Sequence, residues 1–129
     1  MARIPSRDTA PELALRRALH ALGFRYRLHD KRLPGRPDVV LPKYRTAIFV
    51  HGCFWHRHAG CKVATTPKSN TDFWLRKFGR NVERDQEHST ELQRLGWNVM
   101  VVWECEVRSP SLAGMAAERL AKGLRNGAQ

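Results

Sequence analysis

The sequence predicts a small α/β domain built on a mixed sheet, with three or four strands flanked by three helices. Apolar residues recur at helical spacing in three stretches, short apolar runs of strand length lie between them, and turn-forming residues separate the two kinds. A length of 129 residues suits one compact domain, and 42% apolar residues supply its core. No repeat, low-complexity stretch or linker divides the chain. Residues 1–129 are therefore read as one domain, with 1–8 as a short N-terminal arm.

The first helix starts at Thr9-Ala-Pro-Glu12, with Thr9 as cap, Pro11 in the first turn and Glu12 closing a capping box. Leu15, Ala18, Leu19 and Leu22 follow at helical spacing, and Gly23 ends the helix. Phe24-Arg-Tyr-Arg-Leu28 alternates as a half-buried strand does. Pro34-Gly35-Arg36-Pro37 is a turn, and Asp38-Val-Val-Leu41 is a short apolar strand directly after it. Thr46-Ala-Ile-Phe-Val50 is a second buried strand, which delivers the chain into residues 51–61. A polar loop follows to about Asn70. Thr71 to Leu95 reads as a helix bent or broken at Gly79, since glycine weakens a helix interior. Trp97-Asn-Val-Met-Val-Val-Trp103 is the most hydrophobic strand and is expected at the centre of the sheet. Pro110 to about Arg125, rich in Ala and Leu, forms the last helix.

Charge narrows the class of partner. Lys and Arg number 23 against 12 Asp and Glu, a net +11 at pH 7. That balance suits a polyanion, and nucleic acid is the commonest one. No basic amphipathic anchor or long apolar run points to a membrane, and the N-terminus lacks the apolar stretch of a signal peptide. Three cysteines, an odd number, do not suit a disulfide-stapled secreted domain. A reducing cytoplasm is the expected setting, where clustered Cys and His usually mean metal.

The segment His51-Gly-Cys-Phe-Trp-His-Arg-His-Ala-Gly-Cys61 packs three histidines, two cysteines and two adjacent aromatics into eleven positions. Cys53, His58 and Cys61 lie within nine residues, and Cys105 sits just beyond the last strand. A Cys₃His set of this kind closes a tetrahedral zinc site with no open position, which is the structural pattern. The alternative is that Cys105 is simply a buried thiol. His51 and His56 then remain free. Asp38 starts one strand where Val50-His51 ends the next, so a carboxylate, a strand-end carbonyl and imidazoles can meet at one point. Such a set suits Mg²⁺, with an imidazole to take a proton from an attacking water; taken alone, Asp38 after Pro37 is also an ordinary turn residue.

Phe78, Val82, Asp85, Ser89 and Leu92 form one helical stripe, so Asp85 interrupts a face that should be buried. A carboxylate directed inward needs a partner, and a loop histidine would serve. A register shift at Gly79 would instead turn Asp85 outward. Glu12 is explained by its cap alone. Phe54-Trp55 and Phe73-Trp74 are either core or exposed aromatics that stack on bases or wedge a duplex open. Arg57, Lys62, Lys68, Arg76, Lys77 and Arg80, with Arg25, Arg27, Lys31, Arg32 and Arg36 earlier in the chain, are candidate phosphate contacts or a solvated basic face.

Five motifs in order give the chain a family resemblance. They are Leu33-Pro-Gly-Arg-Pro-Asp38, Phe49-Val-His-Gly-Cys-Phe-Trp-His-Arg-His-Ala-Gly-Cys61, Pro67-Lys-Ser-Asn-Thr-Asp-Phe-Trp74, Asn81-Val-Glu-Arg-Asp85, and Gly96-Trp97 through Trp103-Glu-Cys105. From about Thr9 to Cys105 the chain resembles the Vsr family, the very-short-patch mismatch repair endonucleases of bacteria. The resemblance implies a restriction-endonuclease-like fold and Mg²⁺-dependent nicking of double-stranded DNA beside the T of a T·G mismatch, the product of 5-methylcytosine deamination. It implies magnesium on Asp38 and the Val50 carbonyl, and His56 paired with Asp85 to act on the attacking water or the phosphate. His51 and Glu12 match further active-site positions. Cys53, His58, Cys61 and Cys105 match structural zinc ligands, and Phe54, Trp55 and Trp74 match the aromatics that wedge into the duplex.

By the same resemblance, mismatch-repair proteins and a cytosine-C5 methyltransferase are expected as functional partners. A monomer suffices to nick one strand. Only eight residues precede Thr9, where family members usually carry a longer segment embracing the DNA, so a weaker minor-groove grip is expected. Two other readings compete: a nuclease of the same fold with relaxed or different DNA specificity, and a zinc-stabilised DNA-binding module without catalysis.

Overall fold

Helix α1 (Ala10–Ala21) begins where the Thr9 hydroxyl accepts the Glu12 N–H at 3.4 Å, with Pro11 in the first turn. Gly23, at φ +93°, takes the chain out of the helix in a left-handed conformation that only glycine adopts without a steric penalty. The Glu12 carboxylate turns toward Arg16 and His29. The structure, a computed structural model, describes residues 9–53, 56–58, 61 and 66–127, the last three of these without their side chains.

Strands β1 (Arg27–Leu28), β2 (Val39–Leu41), β3 (Thr46–His51) and β4 (Asn98–Trp103) lie side by side in that order. The first two pairings are antiparallel and β3 runs parallel to β4, so the sheet is mixed as predicted. Of the stretch 24–28, only Arg27 and Leu28 join the ladder, and both are exposed, while Phe24 is buried beside them in the core.

Strand β4 is an edge and not the centre; β2 and β3 hold the interior places, with Val39 to Leu41 and Thr46 to Phe49 all buried. Helices cover both sides of the sheet, which explains the unbroken apolar run of an edge strand. Met100 and Val102 pack into the larger core with Leu15, Leu19, Val39, Ile48 and the alanines of helix α3 (Pro110–Gly127). Trp97 and Val99 pack on the opposite face with Ala47, Phe49 and Leu92. Hydrophobicity along 97–103 therefore reported packing against helices on both faces, with Val101 left exposed, rather than position within the sheet.

Helix α2 (Thr71–Arg94) runs unbroken for 24 residues through Gly79, contrary to the expected bend. Gly79 is exposed, and a Cβ there would meet nothing within 4 Å, so no packing demand distorts the helix. A glycine costs a helix about 1 kcal/mol, too little to break one anchored by Phe78 and Leu92.

Because β3 and β4 are parallel and joined through α2, both end at the same edge, with His51 opposite Trp103. The antiparallel β2 starts there, and Val39 pairs with Ile48. Asp38, His51 and the turn after β4 are thereby gathered at one end of the sheet. Among the described residues, no helix is long and apolar enough to cross a membrane.

Candidate active site and metal cluster

Two groups of donors share that sheet end. The first joins Cys53, His58 and Cys61, from the loop after β3, to Cys105 in the 3₁₀ turn Glu104–Val107 after β4. One donor atom from each lies within 4.8 Å of all the others, and Cys105 Sγ is 3.5 Å from His58 Nδ1. A tetrahedral ion with bonds of about 2.3 Å separates its ligand atoms by roughly 3.8 Å, so these residues fit one. Backbone N–H groups of His58 and Cys61 donate to Cys53 and His58 carbonyls at 3.0 and 3.2 Å, winding the loop tightly. The His58 ring is stacked on Trp103, centroids 4.3 Å apart and 9° from parallel. Burial and the neighbouring thiols push the Cys53 thiol up to about 11, so a metal must displace protons to bind.

The second group lines an open cleft of about 620 Å³. Asp38 stands at the start of β2, where its Oδ2 accepts the Val50 N–H at 2.7 Å. Burial, with the Glu12 carboxylate nearby, raises the Asp38 pKa to about 7 against the pull of that N–H. Glu12 is 2% exposed; its Oε2 lies 3.5 Å from Arg16 Nη2 and 3.4 Å from His29 Nε2.

Across the cleft, Asp85 on α2 meets His56: Nδ1 and Oδ2 are 2.6 Å apart. The predicted inward stripe on α2 is what places this carboxylate. His51 is stacked on His56 at 3.9 Å and 7°, and the edge of its ring meets Trp103 at 5.4 Å. Burial first, and His56 second, hold the His51 pKa down to about 4, which keeps it neutral near pH 7 although Asp85 works the other way. On the cleft wall Gly35 passes so close to His88 that a Cβ would come within 2.8 Å of the ring, and its φ is +77°.

Of the residues singled out in the sequence, Asp38, Val50, His51, His56, Asp85 and Arg36 line the cleft, and Glu12 reaches it through His29. Trp74 is half-buried, with the Phe78 ring 5.8 Å away. Arg57 lies over Phe78 at 4.0 Å and donates to the Thr66 hydroxyl at 3.2 Å; Lys77 sits 6.0 Å from the rings of both Phe73 and Trp74. Lys68 is exposed just before α2. Phe54 and Trp55 lie outside the described residues. Sequence reasoning missed His29, Asn81, Arg84 and His88 in the cleft. His29 was within reach, since pairing 24–28 with 38–41 across the Pro34–Pro37 turn sets it opposite Asp38.

Carboxylates and imidazoles around a cleft with Lys31, Arg36 and Arg84 on its walls form the donor set of an acid–base site for an anionic ester. Comparison with known proteins gives the class its family. Residues 1–62 match the family described as DNA mismatch endonuclease Vsr. The chain is 47% identical over 126 residues to the type II nicking enzyme V.NmeAIP of Neisseria meningitidis, covering 98% of this chain and 89% of that one. It is 50% identical over 107 residues to the type II nicking enzyme V.XorIIP of Xanthomonas oryzae pv. oryzae, covering 83% and 78%. It is also 50% identical over 108 residues to the DNA mismatch endonuclease Vsr of Escherichia coli K12, covering 84% and 69%. The chain belongs to the Vsr family of endonucleases.

Proposed function

We propose that this endonuclease nicks double-stranded DNA beside the T of a T·G mismatch and depends on Mg²⁺, in a single restriction-endonuclease-like domain pinned by a structural zinc ion. The observation that carries the reading is the His56–Asp85 pair, 2.6 Å apart, facing Asp38 across one open cleft. The relatives' names, DNA mismatch endonuclease and nicking enzyme, supply the substrate class.

Asp38 and the Val50 carbonyl would hold magnesium, which polarises a phosphodiester and offsets charge developing on it. The rest falls to the protein. His56 Nδ1 faces Asp85 Oδ2, so Nε2 is the ring nitrogen left to accept a proton from water. Asp85 stabilises the resulting imidazolium, and neutral His51, stacked on His56, adds no competing charge. Arg36 and Arg84 supply cations for the backbone. Phe54, Trp55 and Trp74 would enter the duplex at the mismatch, where weak stacking makes wedging cheapest. Cys53, His58, Cys61 and Cys105 would carry the zinc.

The test is a labelled duplex, T·G or matched, incubated with zinc-loaded protein with and without Mg²⁺, beside Asp38→Ala. A Mg²⁺-dependent nick next to the T, absent from the matched duplex and reduced at least about a thousandfold in the variant, is expected. Equal cutting of both duplexes would overturn the mismatch specificity. Tight binding without a nick under any condition would overturn catalysis and leave a DNA-binding module.

A further inference from the structure

Resting on the reading of Asp38 as a metal ligand, we propose that His29 is a third side-chain ligand there, so that Glu12, His29 and Asp38 favour a nitrogen-accepting divalent ion such as Mn²⁺ or Co²⁺ over Mg²⁺. One donor atom from each of the three lies within 4.8 Å of the others. The imidazole lies between the two carboxylates, with Nε2 3.4 Å from Glu12 Oε2 and the other ring nitrogen, Nδ1, 4.0 Å from Asp38 Oδ1. An octahedral ion with bonds of about 2.1 Å separates neighbouring ligands by roughly 3.0 Å and opposite ones by roughly 4.2 Å. With one ring nitrogen turned to the ion, side-chain rotation alone closes donors already within 4.8 Å of one another to these distances, without a change of fold.

Backbone and charge both point to this role. The His29 N–H donates to the Asp38 carbonyl at 3.3 Å, extending the β1–β2 ladder by one pair, so the two residues face each other by register. His29 holds φ +47°, a left-handed conformation uncommon for a residue other than glycine and one that tends to mark functional sites. Two carboxylates meet here, with side chains only 3% and 19% exposed. Arg16, 3.5 Å from Glu12, offsets part of the negative charge, which leaves a reduced remainder to offer a cation.

That remainder disfavours Mg²⁺, which depends on anionic oxygen and keeps its waters, whereas Mn²⁺ and Co²⁺ gain from imidazole. His29 and Asp38 both line the cleft, so an ion can enter and keep positions for water and substrate. An imidazole that merely hydrogen-bonds Glu12 would have the same neighbours but no effect on metal preference.

Titrating zinc-loaded full-length protein with Mn²⁺, and reading free Mn²⁺ by electron paramagnetic resonance, separates the two. Mg²⁺ affinity follows from competition. His29→Gln is expected to weaken Mn²⁺ binding about tenfold or more while changing Mg²⁺ binding less than about threefold. Bound Mn²⁺ should also show nitrogen modulation of its spin echo, lost in His29→Gln and kept in His51→Ala, a signature independent of affinity and global stability. Equal losses for Mn²⁺ and Mg²⁺, unchanged Mn²⁺ binding, or absence of the nitrogen signal in the parent protein would each overturn the inference. If Asp38→Asn leaves Mn²⁺ binding intact, the reading of Asp38 as a ligand fails with it.

Discussion

The two donor groups at the sheet end differ in softness and closure. The cluster of Cys53, His58, Cys61 and Cys105 is rich in sulfur, with four donors crowded round one point. The cleft is built from carboxylates and imidazoles and opens onto about 620 Å³. A closed set satisfies its ion and keeps the loop in place; an open set of hard donors leaves room for something to react. The same loop serves both, since Cys53 and His58 face one way while His51 and His56 face the other. Zinc in the first group, as proposed, would fix the position of the second.

Breaking the closed group should have the largest effect. Cys53→Ser is expected to cost several kcal/mol of stability and the bound zinc, because metal binding and folding are coupled. Zinc content and thermal melting would register it, and a stable, active variant would sink the structural role. Breaking the open group should spare the fold. Asp85→Asn is expected to lower nicking about 10²- to 10⁴-fold while zinc content, melting temperature and DNA binding stay near those of the parent.

Trp103 tests whether the groups are coupled, for it stacks on His58 and meets His51 with its edge. Trp103→Leu should weaken zinc retention and nicking together, each about tenfold, read by chelator competition and by single-turnover cutting. Loss of one without the other would show that the two sites are independent.

A further test is a pH dependence. The Asp38 pKa stands near 7 in the fold against 3.8 in the unfolded chain. Between those values the folded state binds more protons, so this residue's contribution to stability falls as pH rises from about 4 to about 7. Asp38→Asn should flatten that slope in zinc-loaded, magnesium-free protein, as followed by chemical denaturation at several pH values.

Much of this was legible in the residues. Sulfur and imidazole crowded into eleven positions have few structural uses, and an acidic residue on the Phe78–Leu92 stripe declares its own anomaly. The start of α1 followed from a side-chain cap and a proline. Position within the sheet did not, because an edge strand covered by helices on both faces carries the same apolar pattern as a central one. Gly79 misled for a related reason: local propensity is weak beside 24 residues of helix anchored at two buried points. His29 escaped because its relation to Asp38 is one of register across a hairpin, invisible to spacing along the chain.

The continuity of α2 has a consequence for how the family's sequence can vary. Trp74 and Asp85 sit on one rigid rod, eleven residues or roughly 16 Å apart along its axis, with about 100° of rotation per residue. Inserting or deleting a single residue between Phe78 and Asp85 would swing the carboxylate off His56 by that angle, however conservative the residue added. Length in this segment is thus constrained along with composition, because the phase of the rod sets where Asp85 points.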